Sequence, residues 1–173
     1  RFCRHCRFHG ESAADDIQFV VGVVDRQIIA ADDIGSGGGN IRIIGTKPDG
    51  SGWLTGIKDP ADSDSAYIEY LTLANTSCVT SGIYERFFTV GGVQYHHIID
   101  KDTLMPSEHF ASVSVITKNS GLADALSTAL FTMSYEDGLA LVTSIGEVEV
   151  LWVTHEGEKL ATEGLKLLVT EKQ

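Results

Sequence analysis

Asp124 and Thr128 stand four residues apart in the stretch Ala123-Asp124-Ala125-Leu126-Ser127-Thr128. On a helix that spacing stacks the two side chains one above the other. A carboxylate, a hydroxyl from Thr128 or Ser127, and a backbone carbonyl make a set of hard oxygens. Such a set suits magnesium, which takes few protein ligands and keeps water or phosphate oxygens. The plainer reading is an aspartate in the first turn of a helix, favoured by the dipole, beside an ordinary outward-facing threonine. Spacing alone leaves both open.

His97 closes an apolar run and is followed by Ile98-Ile99-Asp100. A histidine there could act as a general base, because its ordinary pKa is near neutrality. It could equally be a ring satisfied at a strand end. His96 should point to the opposite face of a regular strand, so only one of the pair can face a site. Thr80-Ser81-Gly82 reads as a polar turn whose hydroxyls and amides could hold phosphate or ribose oxygens, or only one another.

The elements that must position these groups follow from pattern. Strands are expected over Gln27–Ala31, Ile41–Gly45, Trp53–Ile57, Ala66–Leu73, Arg86–Val90, Val93–Ile99, Ala111–Thr117 and Val148–Thr154. Gly91-Gly92 makes a hairpin turn. Asn119-Ser120-Gly121 is a helix start, and Leu122, Leu126, Ala129 and Met133 form the expected apolar stripe, with Asp124 and Thr128 opposite it. A second helix fits Glu136–Thr143, and a last strand is expected near Leu165–Val169. Ala13–Val24 is a helix or a helix running into a strand. Gly35-Ser36-Gly37-Gly38-Gly39 is read as a turn, since neither nucleotide-fold nor P-loop spacing is present. The fold class is α+β or α/β with a mainly antiparallel sheet flanked by helices.

The chain has 173 residues, 43% of them hydrophobic, enough for one domain with a real core. A net charge of −11 argues against a nucleic-acid or anionic-membrane surface. An anionic ligand would then need a local device, a metal ion or backbone amides. Three cysteines, Cys3, Cys6 and Cys78, give no disulfide framework. Residues 1–12 read as an irregular or frameshift-derived end. Cys3, His5, Cys6 and His9 could be drawn as zinc ligands, but no second ligand pair follows. Residues 13–173 read as the domain. No run is long and apolar enough for a membrane span, and no signal peptide or anchor is found.

Five elements together resemble the FAD:protein FMN transferases, the ApbE flavin-trafficking or thiamine biosynthesis lipoprotein family. They are Gly38-Gly39-Asn40-Ile41, Gly52-Trp53 with Gly56-Ile57, Thr80-Ser81-Gly82-Ile83-Tyr84-Glu85-Arg86, His97-Ile98-Ile99-Asp100, and Asp124 through Thr128 to Phe131. The resemblance implies a T-fold-like domain whose N-terminal half is missing. It implies a magnesium-dependent transfer of FMN from FAD to a threonine of an acceptor protein, with AMP released. By resemblance Asp124 and Thr128, with Ser127, are metal ligands, and His97 activates the acceptor hydroxyl. Ile99 falls where the family touches FAD, and Thr80-Ser81-Gly82 belong with it. Typical members are exported and lipid-anchored at the cell envelope. The resemblance leaves a homodimer open.

Two departures stand out. The family's Asp-Pro-x-Thr-Gly-x-Pro reads here Asp100-Lys101-Asp102-Thr103-Leu104-Met105-Pro106, without the first proline and the glycine. The segment expected to read Ala-Lys-Gly-Tyr, which carries a third metal ligand and a flavin contact, instead reads Arg7-Phe8-His9-Gly10-Glu11-Ser12. The alternative function is therefore a truncated, inactive domain acting as a binding or interaction module, for which the acidic loop Asp59–Asp64 is a candidate surface. Asp33-Ile34-Gly35-Ser36-Gly37 partly resembles the acceptor motif, and self-modification at Ser36 is set aside.

Overall fold

A computed structural model of the chain describes residues 21–24, 27–30, 39–47, 49–62 and 66–170, the first two stretches as backbone alone. The 1–12 end with its zinc candidates, the boundary at residue 13, Ser36 and the tip of the acidic loop lie outside the described residues. In chain order the strands are β1 (Val21–Val24), β2 (Gln27–Ala30), β3 (Asn40–Arg42), β4 (Trp53–Lys58), β5 (Tyr67–Leu73), β6 (Ser77–Gly82), β7 (Phe87–Val90), β8 (Val93–His96) and β9 (Ser112–Thr117). Helices α1 (Ser120–Phe131) and α2 (Tyr135–Ile145) follow, then β10 (Glu149–Val153), β11 (Lys159–Ala161) and α3 (Glu163–Lys166).

A five-stranded antiparallel sheet in the order β11-β10-β9-β6-β3 forms the middle layer. The period of two along each strand divides its side chains between two cores. Val79, Val113, Val115, Val150 and Trp152 pack with Ala123, Leu126, Leu130 and Phe131 of α1 and Val142 of α2. Cys78, Ile116, Leu151 and Val153 face the other way, under Trp53, Ile57, Leu71 and Leu73 of the β4–β5 hairpin and Leu165 of α3. Each large apolar side chain so buried contributes roughly 1.5–3 kcal/mol. The fold class is as expected, antiparallel with flanking helices.

Four expectations change. Thr80-Ser81-Gly82 is not a turn but the end of β6, paired with Ser114, Val113 and Ser112 of β9. Small hydroxyl residues mimic turn composition, yet here they pair across strands. The buried stripe of α1 is Ala123, Leu126, Ser127, Leu130 and Phe131, while Leu122 and Ala129 are exposed. The helix is apolar nearly all round, so composition shifted the stripe by about one residue. Asp124 lies in the second turn, and no acidic residue sits in the first. The chain returns after Gly157 as β11, earlier than expected, and α3 then begins after Thr162 where Leu165 was expected in a strand. Val169 keeps only a single bridge, to Leu71.

Candidate functional site

Helix α1 is the common mount of the site. Its start is set by Asn119, whose side chain accepts from the Leu122 N–H at 3.1 Å. It packs on β6 and β9, with Asp124 and Thr128 exposed on the side away from the sheet. The Thr128 hydroxyl donates to the Asp124 carbonyl at 3.5 Å. Carboxylate, hydroxyl and carbonyl thus lie within one turn, and hard oxygens of this kind fit magnesium. Among the described residues no cluster of three or more His, Cys, Asp or Glu side chains is gathered for a metal.

Ser127 stands apart from that pair. It is fully buried, and its hydroxyl donates to the Asp124 carbonyl at 3.0 Å. The Ser81 hydroxyl lies 2.8 Å from it. A metal ligand was expected at Ser127; the structure turns it toward the sheet instead. Thr80 is on the opposite face of β6 from Ser81, and its hydroxyl pairs with that of Ser114 at 2.7 Å. The ring of Tyr84 covers Gly82, so a Cβ there would lie 2.6 Å from Cε1 of that ring. Burial raises the Tyr84 hydroxyl well above its usual pKa. Thr80, Ser81 and Gly82 thus lie on a paired strand end and not in a turn.

The histidine pair divides as alternation requires. His96 is buried, and its Nε2 lies 3.0 Å from the Ser107 carbonyl. A carbonyl only accepts, so Nε2 carries the hydrogen, and Nδ1 accepts from the Ile98 N–H at 3.3 Å. Burial holds its pKa below the usual histidine value. Both nitrogens are engaged, which leaves His96 a structural ring packed on Phe131 at 5.6 Å. His97 is exposed, and its Nδ1 lies 3.1 Å from the Arg86 carbonyl. By the same logic Nδ1 is protonated, and the Nε2 lone pair is directed outward. That is the tautomer a general base requires.

The loop after His97 is closed by Asp100. Its carboxylate accepts the Asp102 and Thr103 N–H groups, each at 2.8 Å, and these bonds hold its pKa below the usual carboxylate range. Ser107 then donates to the Phe131 carbonyl at 2.9 Å. The His97 segment is thereby fastened to the far end of the helix that carries Asp124 and Thr128. Ile99, half exposed, stands two residues beyond His97. A cleft of about 490 Å³ opens between Ile83, Tyr95, His96, Met105, Ser107 and His155. It is lined by none of the residues singled out for chemistry. Two features escaped the sequence reading, the Arg86 carbonyl and the Ser114 hydroxyl. The Asn40 Oδ1 is buried without a hydrogen-bond partner. Gly39 before it is at φ 72, and a Cβ there would meet the Thr80 carbonyl.

The model of the ApbE family matches residues 34–152. The chain belongs to the ApbE family. The match takes in every candidate residue from Thr80 to Thr128. The FAD:protein FMN transferase of Treponema pallidum is 39% identical over 114 residues, 65% of this chain and 32% of the relative. That of Rhodobacter capsulatus is 33% identical over 135 residues, 76% of this chain and 25% of the relative. The solved ApbE protein of Thermotoga maritima superposes with a TM-score of 0.68 at 40% identity, over 78% of this chain and 43% of that one. The flavinyl transferase ApbE of Pseudomonas stutzeri, in its apo form, gives 0.58 at 34% identity, over 78% and 42%. The chain thus spans about a third or less of the curated relatives' length.

Proposed function

We propose that this ApbE domain takes part in a magnesium-dependent transfer of FMN from FAD to a threonine hydroxyl of an acceptor protein, with release of AMP. The family match over the stretch that holds His97, Asp124 and Thr128 carries this reading. His97 Nε2 accepts the proton of the threonine hydroxyl. The threonine oxygen forms a bond to the FMN phosphorus, the bridging phosphorus–oxygen bond breaks, and AMP leaves with the bridging oxygen. Arg86, through its carbonyl, keeps His97 in the tautomer that can accept. Asp124 and Thr128 would hold the magnesium, which supplies positive charge against the pyrophosphate oxygens. Ile99 offers its exposed apolar side chain to the flavin. An envelope location is part of the same reading.

AMP release tests it. The full chain is incubated with FAD, magnesium and an acceptor protein bearing a target threonine, beside Asp124→Ala. Release that depends on Asp124 supports the reading. No release, together with no FAD binding, replaces it by the second reading, a domain without the chemistry.

A further inference from the structure

We infer that Ser81 and Ser127 form a positioning latch that sets helix α1, and with it Asp124 and Thr128, on the sheet. The inference rests on the metal role proposed for those two residues. The contact between α1 and the sheet is otherwise made in the apolar cluster of Val79, Val113, Val115, Val150 and Trp152 with Ala123, Leu126, Leu130 and Phe131. Apolar packing of this kind is strong but non-directional, so it leaves small slides and rotations of a smooth helix cheap. The Ser81–Ser127 bond, at 2.8 Å, is a directional tie from β6 to α1 at this point.

The bond order is set by valence. The Ser127 hydroxyl gives its hydrogen to the Asp124 carbonyl at 3.0 Å, so toward Ser81 it can only accept. Ser81 is therefore the donor, and the chain runs from the Ser81 hydroxyl through that of Ser127 to the Asp124 carbonyl. Ser127 is fully buried, so losing one partner leaves a hydroxyl that water does not reach. Ser81 thus stands one side chain away from the backbone of Asp124, on the face opposite the carboxylate. Neither serine touches the reacting groups; both act through Asp124 and Thr128.

Binding of manganese, used as a probe for magnesium, reads this directly through the free-ion electron paramagnetic resonance signal. The full chain is compared with Ser81→Ala, Ser127→Ala, the double variant, Asp124→Ala and Ser114→Ala. Outer partners of metal ligands typically carry 10–100-fold in affinity. Each latch variant is expected to bind about tenfold more weakly, the double variant no worse than either, and Asp124→Ala not at all. Ser114→Ala breaks a hydroxyl pair of the same kind on the other face of β6 and is expected to bind as the unaltered chain does. If Ser114→Ala weakens binding equally, the effect is general loosening and the latch is refuted. The same holds if the single variants bind like the unaltered chain, or if their losses add. If the unaltered chain itself binds no manganese, the metal role falls, and the latch with it.

Discussion

Leu104 occupies the position at which the related pattern has glycine, and its backbone is at φ 60, in the left-handed region. The surrounding bonds enforce that conformation. The Leu104 N–H donates to the Asp100 carbonyl at 2.9 Å, the Asp100 N–H to the Met105 carbonyl at 2.9 Å, and Ile99 bridges Pro106. An L-residue there costs about 1–2 kcal/mol. The side chain is 76% exposed, so little burial repays it. Replacing Leu104 by glycine removes the strain but frees the unfolded chain, which returns about 0.4–1 kcal/mol. Leu104→Gly is therefore expected to stabilise the protein by about 0.5–1 kcal/mol. With a urea slope of about 2 kcal/mol per M, the midpoint rises by roughly 0.25–0.5 M. Leu104→Ala keeps the strain and should leave the midpoint nearly unchanged. A midpoint that falls in Leu104→Gly, or rises equally in Leu104→Ala, would show that the left-handed backbone at residue 104 carries no such cost.

Gly39 is the opposite case. It sits at φ 72, and a Cβ would lie 2.3 Å from the Thr80 carbonyl oxygen. Gly39→Ala should cost about 2–3 kcal/mol in the same urea titration, whereas Gly45→Ala, at φ 80 with nothing near, should show only the strain. The pKa of His96 is lowered in the folded protein. Its contribution is thus present above the ordinary value near 6.5 and is lost as pH falls from there through the folded value. The urea midpoint should drop over that window, and His96→Gln should flatten the drop. Cys78 is buried, and burial pushes its thiol up to about 12. It should resist a thiol reagent in the native protein and react only on unfolding.

Much of the scaffold was legible because local chemistry and tertiary need agree. Asn119 caps α1 as its residue type suggests, and Gly91 and Gly92 take the positive φ values, 57 and 83, that a tight hairpin asks for. The site was legible only as residue types. Asp124 and Thr128 do share a face, but spacing could not say that Ser127 turns inward, because its hydroxyl satisfies itself on a carbonyl and on Ser81. Thr80 and Ser81 read as a turn since serine, threonine and glycine are ambiguous until a partner strand is known. The tautomer of His97 depends on a backbone carbonyl, which side-chain sequence does not display.

The decisive measurement is the intact mass of an acceptor protein after incubation with this chain, FAD and magnesium. The target threonine should gain the mass of one FMN less water. The gain should be absent when that threonine is valine, and absent or strongly reduced with Asp124→Ala and His97→Gln. An acceptor that gains no mass, or gains it equally with Asp124→Ala and His97→Gln, would contradict the proposed transfer.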